Sequence, residues 1–452
     1  MFLRRLCRSF SSGGSLDLLR HVEGIIKFRG GPVTFAEYMR AALSSPVGGY
    51  YGDKGAESIV GSKGDFVTSP EISQLFGEMV GLWALTVWEQ LQQPKSLRLV
   101  ELGPGKGTLM ADLLRSTSSP SPIFQSFQSA LHNGEDAGVH LVEISPSFRK
   151  IQADVLSKFE KESQKGSSLV KWYNTLADVP KDDIPTIYIA HEFFDALPVH
   201  MFVKKSDVWS EILVDLKERK AVSLDPADSN SRTEPELEMI LAPGGTPAMK
   251  FLLSPKLETL DDTFRESVKE IEISASAMEH ALDIGERLVS SKAGGAALCI
   301  DYGYEKLPGR FTCRAIHNHK VLDDLLELTG QADLTADVDF SALRWAIEKR
   351  FEREDKVPKV HGPISQTKFL QSLGIEYRVQ DLLQNTKMTP KQAEDLVIGY
   401  KRLVSNEKSI DINPSDDGET ESKDSQISGM GEIYKAMAIT SFPKDSSPPV
   451  GF

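Results

Sequence analysis

The sequence lacks the features that mark several common protein classes. Its 452 residues include three cysteines, Cys7, Cys299 and Cys313, spaced for neither a disulfide framework nor a zinc site. That scarcity fits a reducing compartment. No apolar run is long enough to span a bilayer. Positive charge is in deficit: 52 Lys and Arg stand against 65 Asp and Glu, for a formal net charge of -13. That balance argues against nucleic-acid binding by the surface as a whole and leaves only a local basic groove. His317-Asn318-His319 would set two imidazoles on one strand face, but no third ligand is spaced to complete a metal site. No metal is expected.

Acid is missing from the start of the chain, where the first carboxylate is Asp17. Arg4, Arg5 and Arg8 alternate there with apolar residues and serines, and no continuous apolar core forms. This is the composition of a mitochondrial presequence, expected over 1–14.

What the sequence does have is centred on Leu99-Val100-Glu101-Leu102-Gly103-Pro104-Gly105-Lys106-Gly107-Thr108. An apolar run suited to a buried parallel strand precedes three alternate glycines, and Leu109, Met110, Leu113 and Leu114 follow at helical spacing. A strand, a glycine turn and a helix N-terminus form the front of a nucleotide-type site. A P-loop needs Ser or Thr directly after Gly-Lys, and Gly107 stands between Lys106 and Thr108. A dinucleotide fingerprint needs a sixth-position glycine, and Thr108 occupies that place. Two further strand ends carry polar chemistry. Val139-His140-Leu141-Val142-Glu143-Ile144 ends on an acid suited to ribose hydroxyls, although an insertion separates it from the glycines. Ile187-Tyr188-Ile189-Ala190-His191-Glu192-Phe193-Phe194-Asp195 ends on a histidine, two acids and paired aromatics. The first and fourth strands of a doubly wound sheet flank the point where strand order reverses, so these ends should face one crevice. Trp172-Tyr173-Asn174 would be the third strand, placing Asn174 towards an adenine.

Ahead of the glycine turn, Thr34 with Glu37 makes a capping box for a helix over Phe35–Leu43. A loop rich in glycine and tyrosine follows, and Tyr50, Tyr51, Asp65, Thr68 and Glu71 are candidate lid and substrate residues. Ser69 reads as the cap of a helix that runs to Pro94. Ser116–Asp136 reads as a loop or poor helix.

The run Glu101 to Gly107 resembles the first motif of class I S-adenosylmethionine-dependent methyltransferases. Gly64-Asp65-Phe66-Val67-Thr68-Ser69-Pro70-Glu71, Phe76-Gly77-Glu78, His140 to Pro146, Glu192 to Pro198, Asp301-Tyr302-Gly303-Tyr304 and Ala332 to Phe340 extend the likeness to the MidA family over nearly all of the chain after the presequence. The family pattern usually has Asn before Glu192; this chain has His191. The resemblance implies an α/β class I (Rossmann-like) fold, with a seven-stranded, mostly parallel sheet whose last strand runs antiparallel. An N-terminal helical region and a β-rich insertion would be added to it. It further implies S-adenosylmethionine as cofactor, held by Glu101, Gly103, Pro104, Gly105, Gly107, Thr108, Glu143, Ile144 and Asn174. Mitochondrial members are similar to protein arginine methyltransferases of complex I assembly. On that reading Glu192 and then Asp195 would orient the acceptor arginine, and His191 would take the released proton or position the acceptor. A subunit of complex I would be the partner, in the mitochondrial matrix. Two other classes stay open: a non-catalytic assembly chaperone that keeps the fold, and a methyltransferase for a small molecule or RNA.

The expected layout is the presequence at 1–14, a helical and lid region at 15–95, core at 96–205, an insertion at 206–290, core again at 291–404, a disordered acidic loop at 405–428, and a final core strand at 429–442.

Overall fold

Seven apolar runs pair into one sheet. In a computed structural model they are β1 (Arg98–Leu102), β2 (Gly138–Val142), β3 (Val170–Tyr173), β4 (Thr186–His191), β5 (Gly295–Tyr304), β6 (Lys359–Ser365) and β7 (Tyr434–Ser441). The structure describes residues 15–53, 59, 67–160, 168–217, 235–385, 387–405, 408–409, 427–442 and 446–452. The expected presequence, Asp65 and most of the acidic loop lie outside these residues.

The sheet order is β3-β2-β1-β4-β5-β7-β6. Pairs among the first five are parallel, and β7 runs antiparallel between β5 and β6. Strand order reverses between β1 and β4, where Glu101 lies opposite Ile189 and Leu102 opposite Ala190. β1 and β2 are buried along their whole length, as their unbroken apolar runs require. The expected α/β fold with a mostly parallel central sheet and an antiparallel last strand is what forms; the sheet has eight strands instead of the expected seven, the seven above being its main path.

Two compact units make up the chain: Met1–Phe66, Asp195–His280 and Lys306–Asp339 in one, and Val67–Phe194, Ala281–Glu305 and Phe340–Phe452 in the other. The sheet belongs to the second. Its core includes Leu99, Leu141, Ile187, Ile189 and Leu298 of the strands, packed with Phe76, Trp83 and Val87 of helix α1 (Gln74–Gln90) and Met110 and Leu113 of α2 (Thr108–Ser116). Glycines let α1 and α2 approach closely. A Cβ on Gly81 would lie 2.6 Å from Ser116 Oγ and 3.2 Å from the Leu113 backbone. A Gly81→Val protein should therefore lose about 1–3 kcal/mol of stability, read as a lower denaturation midpoint.

The first unit holds an antiparallel sheet in which Val208–Leu216 pairs with Val33–Thr34, His200–Lys205 and Leu237–Leu241, and Glu270–Ile273 pairs with His200–Lys205. Helix Phe35–Ser44 starts on the capping box, with Thr34 Oγ1 accepting from the Glu37 amide at 3.1 Å and Glu37 Oε2 accepting from the Thr34 amide at 2.9 Å.

Three local expectations need correction. Ser69 is not a cap: Thr68 precedes the short helix Ser69–Ile72, and extended Ser73 breaks the chain before α1, its hydroxyl accepting from the Leu75 amide. Ser116–Asp136 contains the helix Pro122–Leu131, held because Phe127, Ala130 and Leu131 are buried. His317 and His319 do not share a strand face. Asn318 and His319 both have positive φ, 49° and 61°, and form the two-residue turn between strands Arg314–His317 and Lys320–Val321.

Candidate functional site

The glycine turn works as the spacing requires. Gly103, Gly105 and Gly107 all have positive φ, 61°, 52° and 81°, a region where a Cβ is strained. The turn closes with the Gly107 amide donating to the Pro104 carbonyl at 2.8 Å, and α2 starts at Thr108. A Cβ on Gly103 would press on the Phe193 ring at 3.1 Å, whereas one on Gly105 would meet nothing within 4 Å. Gly105 thus borders open space. Behind the turn, Glu101 is 3% exposed, and its Oε2 has no hydrogen-bond partner among the described residues. Burial pushes this carboxyl up to about 8.

Glu143 lies one residue beyond β2, where its amide donates to the Tyr173 carbonyl of β3 at 3.0 Å. Its Oε1 accepts from the Ser145 amide at 2.8 Å and its Oε2 from Gln152 at 3.3 Å. Burial raises its pKa, and these hydrogen bonds work against that rise. The Ile144 amide also acts on it, and since a carboxylate has about four acceptor sites, capacity remains for a ligand hydroxyl. Next to it Ile144 is 50% exposed, an apolar surface suited to a purine face. Arg149 of helix α3 (Pro146–Glu160) donates to the Glu143 carbonyl at 2.8 Å and to Asn174 Oδ1 at 2.8 Å, bracing both strand ends. Open space at Gly105, an acceptor at Glu143 and an apolar side chain at Ile144 fit an adenosine-bearing ligand.

At the end of β4, His191 is buried beside Phe76, ring centroids 4.7 Å apart. Burial lowers its pKa to about 3, so the ring is neutral near neutral pH. Glu192 has φ 49°, which is uncommon for a residue with a long side chain. Its amide donates to the Ile300 carbonyl at 3.0 Å, and its Oε1 accepts from the Ser69 amide at 3.3 Å. His191 Nε2 lies 3.4 Å from the same oxygen. Asp301, fully buried in β5, accepts from the amides of Phe194 and Tyr302, each at 3.0 Å. It thereby holds the segment that carries Glu192. Asp301→Asn turns one of those acceptors into a donor facing an amide, and should cost about 1–3 kcal/mol in chemical denaturation.

Segment 68–72 joins this set through two bonds. Ser69 reaches Glu192, and Glu71 Oε1 accepts from the Thr108 hydroxyl at 2.5 Å. Thr68 contributes its carbonyl, which accepts from the amides of Glu71 and Ile72. Glu101, Gly103, Pro104, Gly105, Gly107, Thr108, Glu143, Ile144, Asn174, Thr68, Glu71, His191 and Glu192 all belong to the unit that holds the sheet.

Asp195, Tyr50 and Tyr51 belong to the other unit. There Asp195 accepts from the Thr335 hydroxyl at 2.8 Å, and the Tyr51 hydroxyl donates to Asp333 at 3.2 Å. Tyr50 is fully buried, edge-on to Tyr51 at 5.0 Å. Gln152 and Arg149 are absent from the sequence reading, and Asp301 and Asp333 stand there only inside motifs of the resemblance, with no role given to either. For Gln152 a signal existed: it shares the buried face of α3 with Phe148 and Leu156, where an amide needs partners.

Comparison with known proteins supplies the chemistry that this geometry accommodates. Residues 79–357 match the family described as "Putative S-adenosyl-L-methionine-dependent methyltransferase". Protein arginine methyltransferase NDUFAF7, mitochondrial, of Homo sapiens is 38% identical over 418 residues, which is 88% of this chain and 84% of that protein. The protein of the same name from Drosophila melanogaster, a homolog, is 34% identical over 83% of this chain and 78% of its own. Among solved structures, a superfamily member from Burkholderia thailandensis bound to S-adenosyl-homocysteine shares the fold. Its TM-score is 0.67 at 21% identity, over 98% of this chain and 97% of that one.

Proposed function

Since the chain belongs to the S-adenosyl-L-methionine-dependent methyltransferase family, we propose that it moves a methyl group from that cofactor to an arginine of a mitochondrial protein. The observation that carries this reading is 38% identity to the human arginine methyltransferase over 88% of the chain. The acceptor is a subunit of respiratory complex I, and the reaction takes place in the matrix, where the basic presequence would deliver the chain. No helix among the described residues is long and apolar enough to cross a membrane.

When bound, S-adenosylmethionine supplies an electrophilic methyl on a sulfonium. The chain's own residues bind, orient and exclude water. Glu143 would take the ribose hydroxyls, Ile144 would cover the purine with Asn174 beside it, and the Gly103–Gly107 turn with Pro104 and Glu101 would hold the amino-acid end. Thr108 and Glu71 close the turn against segment 68–72. Glu192, one of whose oxygens is fixed by Ser69, pairs with the acceptor guanidinium and points one nitrogen at the methyl carbon. One guanidinium nitrogen would gain the methyl that the bound cofactor supplies and give up its proton. His191, kept neutral by burial, positions Glu192 or takes the proton that the acceptor releases.

Incubation with methyl-labelled cofactor and isolated complex I subunits, followed by mass spectrometry, tests the reading. Methylarginine on one subunit is the expected result. Label in RNA or a metabolite would move the acceptor class, and cofactor binding without any transfer would leave an assembly chaperone.

A further inference from the structure

Gln152 is fully buried in α3, and both ends of its amide are in use. Its Oε1 accepts from the Trp172 indole N–H at 2.9 Å. Its Nε2 donates to the Gly105 carbonyl at 2.7 Å and to Glu143 Oε2 at 3.3 Å. An indole nitrogen can only donate, so Trp172 decides which end of the amide is oxygen. With the oxygen committed to Trp172, both N–H bonds must point to the glycine turn and the acid. A Cβ on Gly107 would also touch this side chain, at 3.4 Å from Gln152 Cγ. One glutamine therefore spans the two strand ends that hold the cofactor.

We propose that Gln152 is a positioning residue for cofactor binding: it ties the glycine turn to Glu143 and presents that carboxylate as a pure acceptor to the ribose hydroxyls. The inference rests on reading this site as the S-adenosylmethionine site. Its physical basis is the donor sense of the amide. An N–H aimed at Oε2 favours the ionised carboxylate, whereas a protonated Glu143 would turn one oxygen into a competing donor. Burial favours the protonated form, and the Gln152 and Ser145 hydrogen bonds oppose it. The groups around Glu143 are few. Arg149 on the same helix donates to its carbonyl, Tyr173 of β3 faces it with a backbone carbonyl, and the glycine turn reaches it through Gln152.

The test is calorimetric titration of the full chain with S-adenosylmethionine and S-adenosylhomocysteine, from about pH 6 to about pH 9, a range in which a buried carboxyl can titrate. Wild type sets the reference profile, which carries any titration of Glu101, pushed up to about 8 behind the same turn, and each variant is read as its ratio to wild type at the same pH. Gln152→Leu should bind about 10-fold more weakly at neutral pH, the loss of one hydrogen bond to a charged group, and recover affinity as pH rises and Glu143 ionises. Gln152→Glu keeps the acceptor for Trp172 but faces Glu143 with a second acid, so it should show the same pH dependence more steeply. Trp172→Phe frees the amide to flip and should weaken binding less than Gln152→Leu. A folded Gln152→Leu protein that matches wild type at every pH overturns the inference and leaves the cofactor site standing. If that variant does not fold, wild-type affinity in both Gln152→Glu and Trp172→Phe overturns it. A wild type that binds neither ligand overturns the site reading and the inference together.

Discussion

Replacing Gly105 by valine should weaken S-adenosylmethionine binding by more than about 100-fold, roughly 3 kcal/mol, while the sheet stays folded. Two effects combine. At φ 52° a β-branched residue is strained by about 1–2 kcal/mol, so the turn leaves the conformation that the ligand needs. Among the described residues, the new Cβ would also meet no atom within 4 Å beyond its chain neighbours, and that is the space a ligand enters. For the same reason it collides with none of those residues in the unliganded protein. Calorimetric titration separates the two levels, because loss of binding with a modest fall in melting temperature is the expected pair. Wild-type affinity in the variant would place the cofactor elsewhere.

Glu192→Gln should bind the cofactor within about 3-fold of wild type, yet transfer methyl at least about 100-fold more slowly. The substitution preserves shape, and the glutamine oxygen can still accept from Ser69, so segment 68–72 keeps its anchor. What disappears is the negative charge, and with it the charge-assisted pairing that orients a guanidinium. Rates at saturating cofactor, measured on a peptide acceptor, read this directly. Full turnover would remove Glu192 from the acceptor site.

Strand positions were legible because apolar runs bounded by Gly, Pro and acids leave little choice, and Glu101, Glu143 and His191-Glu192 were found as strand ends. Glu143 emerged even with an insertion before it, since Val-His-Leu-Val-Glu carries its own pattern. The helix inside that insertion, Pro122–Leu131, was not legible. Its Ser, Phe and Ile are weaker helix formers than its Gln, Ala and Leu, and burial of Phe127, Ala130 and Leu131 decides the matter. The paired histidines misled because a tight hairpin turn changes the alternation at Asn318. The roles of Gln152, despite its place on a buried helix face, and of Asp301, despite its place in a motif, were not legible for a different reason. Each acts through partners tens of residues away in the chain, Gly105 and Phe194, and only folding brings such pairs together.

The place of β7 gives the chain a timetable. The strand that lies between β5 and β6 spans Tyr434–Ser441 and pairs with β5 at eight positions from Gly295–Ser441 to Tyr302–Tyr434. While a ribosome still holds those residues, β5 has an open edge and β6 has no neighbour to join it to the sheet. A chain stopped just before Tyr434 would carry β1 to β6 and still have its central sheet split, with an apolar strand exposed to pairing with other chains.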